Sequence, residues 1–274
     1  MGCCSSSDAT RGPDAGVMPA AEPLASDNSG VPPQADTPPS APLQDPAAAH
    51  AEWIEQLLES VRDVRTGANK SPATALTQSL WSAIEGNAVP AHIAGRRLRS
   101  VFTTDAHGYN PDAMHRHCDA QRERLKDGQD GFCVLLVRTG DLVVGAVLNV
   151  LPEWHTKGRR TYIGGPATTV FVCGADGSGF NMYRAADEGN GRFFRADNNA
   201  LMVGAGSDGA AIRVDGGLTE VQCSPCGSTF AGLESASLLD GALAAGAAGL
   251  TKDVGGVRGK VSSLELLLVT EAIM

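Results

Sequence analysis

The chain has no long apolar run, no excess of positive charge and few aromatic rings, and these shortages narrow what it can be. No stretch approaches the length of a bilayer-crossing helix. No positively charged segment runs into an apolar core at the start, so no secretory leader is expected. The formal net charge is -9 and the pI about 5.1, both of which oppose nucleic-acid binding. An acidic chain is also repelled by anionic lipid headgroups. Aromatic residues make up 5% of the 274, whereas glycine numbers 33, which suggests a fold with many tight turns. The seven cysteines are odd in number and irregularly spaced, so they read as free thiols rather than as a disulfide framework.

Positive charge is scarcest near the N-terminus. Arg11 is the only cation in the first fifty residues, against Asp8, Asp14, Glu22 and Asp27. What stands there instead is Met1-Gly2-Cys3-Cys4. Loss of Met1 leaves an N-terminal glycine, and Ser6 occupies the small hydroxyl position of the myristoylation pattern. One myristoyl chain holds a protein on a bilayer only marginally, so stable anchoring needs a second signal. Without a basic patch, Cys3 and Cys4 as palmitoylation sites are that signal. Gly2, Cys3 and Cys4 are therefore the expected lipidation residues, and the acyl chains are the expected contact with the membrane.

Residues 5 to 48 are rich in Pro, Ala, Ser and Asp and nearly lack large aliphatic side chains. Such a stretch cannot bury enough apolar surface to offset its ordering entropy, so residues 1–48 are expected to form a disordered tether. Helical spacing starts at His50, with Trp53, Ile54, Leu57, Leu58, Val61 and Val64 on one face. A second helix is expected from the Ser71 cap and Pro72, carrying Leu76, Leu80, Trp81 and Ile84 to Gly86-Asn87. Residues 49–88 thus read as a helical extension, in which Trp53 and Trp81 are candidate partner anchors, core packing being the commoner use. A third helix has Asn110 as cap, Pro111 at its first position, and Met114, Cys118 and Leu125 on a shared face, closing at Gly128.

From Phe132 the pattern turns to strands. Phe132–Val137 and Leu142–Leu148 flank Thr139-Gly140-Asp141 as a hairpin. Further strands are expected at Thr161–Ile163, Thr169–Cys173, Phe180–Tyr183, Ala200–Val203, Ala210–Val214 and Val261–Val269. Short strands without alternating helices argue for antiparallel sheets and against a doubly wound fold. Leu238–Gly249 is Ala/Gly-rich and reads either as a weak helix or as a loop insertion.

Three motifs invite chemistry. Gly204-Ala-Gly206-Ser-Asp-Gly209 spells the dinucleotide fingerprint, which requires a helix to begin inside it. The next residues read as a strand, so a hairpin is the better account and no nucleotide is expected. Cys223-Ser-Pro-Cys226 is a single C-x-x-C, too little for structural zinc and a candidate redox pair. His115, His117 and Cys118 lie upstream, with i and i+2 positions facing apart, so no metal is expected there. Asp105 and His107 are candidate acid–base partners, with Ser224 or Ser228 as an imagined nucleophile, but no nucleophile elbow supports a hydrolase. The plainer reading of residues 103–108 is a loop whose Asp and His side chains bond neighbouring backbone.

Taken in order, the segments resemble a TLDc domain, the module of the oxidation-resistance proteins. The resemblance is carried by Val101–Gly108 with the Asn110 helix, by Val134–Arg138 with Val144-Gly-Ala146, and by Tyr162-Ile-Gly164 with Val170-Phe171. Leu201–Gly206, Ala211–Asp215 with Leu218, Cys226 with Thr229-Phe230, and Leu264-Glu265 continue it. Leu267 stands where the family has Trp, and Ala167-Thr168-Thr169 replaces its acidic residue before the apolar strand. The resemblance implies an α+β fold, a two-sheet antiparallel β-sandwich flanked by helices, occupying residues 89–274. It implies roles in oxidative-stress resistance and in binding the vacuolar-type proton pump, with no cofactor and no asserted enzymatic mechanism. The expected function is that of a membrane-tethered, non-enzymatic interaction protein on the cytosolic face of a plasma or endolysosomal membrane. The alternative is a thiol-dependent redox enzyme using Cys223 and Cys226.

Overall fold

The computed structural model describes residues 76–125, 131–154 and 161–270. The expected tether, the His50 helix with Trp53, the Ser71 cap and Gly128 lie outside them, as do Gly2, Cys3 and Cys4.

Two six-stranded sheets dominate the described residues. The first runs β1 (Arg97–Thr103), β12 (Ser263–Thr270), β2 (Cys133–Thr139), β3 (Leu142–Leu148), β4 (Thr169–Gly174) and β5 (Asn181–Arg184). The second runs β10 (Leu250–Asp253), β11 (Gly256–Lys260), β9 (Glu220–Cys223), β8 (Ile212–Asp215), β7 (Ala200–Val203) and β6 (Phe194–Asp197). Every neighbouring pair in both sheets is antiparallel. The α+β two-sheet sandwich is therefore the fold.

Side-chain alternation sorts the core into two layers. On β12, Leu264, Leu266 and Leu268 join the inner core, which also takes Leu135 and Val144 from the first sheet and Val203, Val214 and Val221 from the second. Leu267 and Val269 point the other way, into a second core with Val134, Val143 and Phe171. Helix α1 (Gln78–Asn87) lays Leu80, Trp81 and Ile84 on that outer face. The central strands of the first sheet are thus buried on both faces, which is why β2 and β3 are nearly continuous apolar runs. Gly145 is required where two strands are crossed by a ring: an added Cβ would stand 2.3 Å from a ring carbon of Phe171.

Some expectations shift. Residues 76 and 77 are not helical, so the helix begins at Gln78, where the Thr77 side chain accepts from Leu80 N–H at 3.1 Å. Trp81 is 2% exposed, so it serves the core and is no surface anchor. Residues 103–108 are more than a loop: Thr104–His107 form a one-turn helix, α2, capped by Thr103. Helix α3 (Pro111–Arg122) starts as read, with Asn110 accepting from Ala113 N–H at 3.1 Å. Thr161–Ile163 reduces to a single bridge between Ile163 and Phe194. The Ala/Gly-rich segment is a short helix, α4 (Asp240–Ala244), that leads into β10.

Candidate functional site

The C-x-x-C pair sits where β9 leaves the second sheet. Cys223 is the last residue of β9 and pairs with Val257; it is 0% exposed. Cys226, 1% exposed, is the pivot of the turn that follows. Its N–H donates to the Leu233 carbonyl at 2.7 Å, and its carbonyl accepts from Thr229 and Phe230 at 2.9 Å. Both thiols are free. Burial pushes the Cys223 thiol up, and the charge of Asp240 adds to the effect. Burial also raises Cys226, against an opposing hydrogen bond from Thr229. A nucleophilic or redox-active cysteine needs the reverse, a thiolate favoured by exposure and positive surroundings. Burial likewise pushes Cys118 and Cys173 up to about 12, and Cys133 well above its usual value.

The turn built on Cys226 has a clear structural task. Thr229, 0% exposed, accepts from Ala205 N–H at 3.2 Å and bonds the Asn190 side-chain oxygen and the Ala205 carbonyl, each at 3.0 Å. The Asn190 amide also donates to Ala205 O at 2.5 Å and to Ser228 Oγ at 3.2 Å. Three separate loops are locked by this node. The glycine-rich 204–209 segment is one of them, and it is a hairpin turn: Gly206 N–H donates to Gly209 O at 2.7 Å, and β8 pairs antiparallel with β7 directly after it. No helix begins inside the motif, as phosphate binding would require.

Asp105 and His107 lie elsewhere, on α2 beside β1 at the edge of the first sheet. His107 Nδ1 is 3.1 Å from both the N and the O of Thr103, so this ring does bond neighbouring backbone. It stacks on Phe102 and lies 4.2 Å, centroid to centroid, from His117. Ser224 is 2% exposed and its hydroxyl donates to the Gly255 carbonyl. The imagined acid–base residues and the cysteine or serine nucleophiles thus belong to different sheets. No group of three or more His, Cys, Asp or Glu converges among the described residues.

A cavity of about 720 Å³ opens between the end of α1 and the loops at residues 164–167 and 184–193, and the sequence pattern gave no sign of it. Val89 and Pro90 after α1, Pro166, and Arg184, Asp187 and Phe193 line it. It collects residues from loops distant in sequence. Neither Cys223, Cys226, Asp105 nor His107 borders it.

Two antiparallel sheets and a buried C-x-x-C that organises turns define a β-sandwich domain. The TLDc domain model matches residues 70–242, and the chain belongs to that family. Membership places it among regulatory and interaction proteins connected with oxidative stress. No curated protein matches the chain significantly. The matched span stops inside the Ala/Gly-rich segment, yet β12, between β1 and β2, lies beyond it. β10 and β11 thus lie between the matched part and an interior strand of the first sheet.

Proposed function

We propose that this chain is a membrane-tethered, non-enzymatic TLDc regulator whose sandwich domain binds a membrane-bound partner, with the vacuolar-type proton pump as the first candidate. Contribution to oxidative-stress resistance follows from that binding and needs no thiol chemistry of its own. The observation that carries the proposal is the Met1-Gly2-Cys3-Cys4 start with Ser6, joined to a family domain of the interaction type. Two acyl chains hold a protein on the cytosolic leaflet where one does not. Tethering then turns weak binding into frequent binding by raising the effective concentration of the domain near its partner. The burial of Cys223 and Cys226 works against the redox alternative.

Fractionation tests the tether. Gly2→Ala should move the protein to the soluble fraction, and Cys3→Ser with Cys4→Ser should leave it weakly bound. Retention of the Gly2→Ala protein on membranes would remove the basis of the proposal. Capture of proton-pump subunits with the acylated protein, and not with Gly2→Ala, would support the partner.

A further inference from the structure

We infer that Asn190-Gly191 is a self-modification site: the Asn190 amide deamidates through a cyclic imide once the turn node around it opens, and the product cannot rebuild that node. Asn-Gly occurs once in the 274 residues. The dipeptide is chemically labile because glycine has no side chain to keep its backbone nitrogen from the preceding amide carbon. In the reaction the Gly191 nitrogen attacks Cγ of Asn190 and gives up its proton as the new N–C bond forms. The Cγ–Nδ2 bond breaks and ammonia leaves. Water then opens the imide at either carbonyl, which gives aspartate or isoaspartate. Water is the only co-reactant.

The folded chain supplies the reacting groups and withholds the movement. Asn190 is exposed, so water reaches the site. Gly191 has φ 69°, a Cβ added to it would meet nothing within 4 Å, and its N–H makes no hydrogen bond among the described residues. The amide is the part that is held. Its nitrogen donates to Ala205 O at 2.5 Å and to Ser228 Oγ at 3.2 Å. Its oxygen accepts from Arg192 N–H at 2.9 Å and from the Thr229 hydroxyl at 3.0 Å. The Asn190 N–H is fixed as well, on the Ser228 carbonyl at 2.9 Å. Turning Cγ toward the Gly191 nitrogen breaks the side-chain bonds together, so attack waits for local opening and its rate follows the open population.

Deamidation replaces a donor with an acceptor. The new carboxylate faces the Ala205 carbonyl with no hydrogen between them, which leaves that contact repulsive. Isoaspartate also lengthens the main chain ahead of Phe193, whose carbonyl accepts from Gly204 N–H at 2.7 Å. Either product loosens the joint between the β5–β6 loop and the 204–209 turn. Gly189 and Gly191 put that joint on the wall of the cavity. The modified chain thus keeps a lasting record of having opened.

The test follows residue 190 by peptide mass spectrometry in the full chain, incubated at mildly alkaline pH with and without urea. Aspartate and isoaspartate should accumulate there in urea, and at least about tenfold more slowly in the native chain. Ser228→Ala, which removes one partner of the amide, should speed the native reaction and leave the rate in urea unchanged. Asn190→Asp should lower the melting temperature. Equal rates with and without urea, no reaction in urea, a native rate unmoved by Ser228→Ala, or an Asn190→Asp protein that melts like the parent would each overturn the inference.

Discussion

Cys226 shows how a reactive-looking residue becomes structural. Its sulfur is enclosed, its backbone makes three hydrogen bonds, and Thr229-Phe230 are placed by it. The other described cysteines, Cys118, Cys133, Cys173 and Cys223, are buried as well, and desolvation disfavours the thiolate of each. A thiol reagent applied at neutral pH to the native chain should therefore leave these five cysteines unmodified. The five buried thiols should react only once denaturant is added. Fast reaction of Cys226 would revive the redox reading. Spacing alone made Cys223 and Cys226 look like a pair with chemistry; what decides the matter is burial, which comes from strands far away in sequence.

At the scale of elements, the β8–β9 turn concentrates strain and its compensation. Leu218 has φ 56°, unusual for a branched-chain residue, and is 2% exposed. Asp215 holds the turn by accepting from Thr219 N–H at 2.6 Å, Glu220 N–H at 2.8 Å and the Thr219 hydroxyl at 3.0 Å. Burial raises the Asp215 pKa, but these hydrogen bonds outweigh it and the net shift is downward. A lowered carboxylate pKa gives stability that is complete above the ordinary carboxylate range and disappears as pH falls through the folded value. Asp215→Asn should therefore cost on the order of 1–3 kcal/mol at neutral pH, with the penalty shrinking in strong acid. Urea midpoints of the two proteins across that range check it, and a penalty independent of pH would contradict it. The elements most legible in the sequence were those with one dominant cause. β3 and β7 fall at their expected boundaries because an apolar run meets a glycine or aspartate turn at one end. β1 was read only as part of a motif because Arg97 and Arg99 break its apolar run, and β10 and β11 were missed because LTKD and GVRGK carry almost no apolar signal. The 720 Å³ cavity could not be read at all, since only folding brings its loops together.

At the scale of the whole molecule, the sandwich needs no enzymatic chemistry to be useful. The two cores give it rigidity: one lies between the sheets, and the other is sealed by α1. The proposed contribution of the N-terminus is location, which converts a rigid recognition body into a regulator of something in the membrane. The most direct test is the intact mass of the protein isolated from its native cell. The account predicts loss of Met1, a myristoyl group on Gly2, and at least one further acyl chain on Cys3 or Cys4. An unmodified terminus would contradict it.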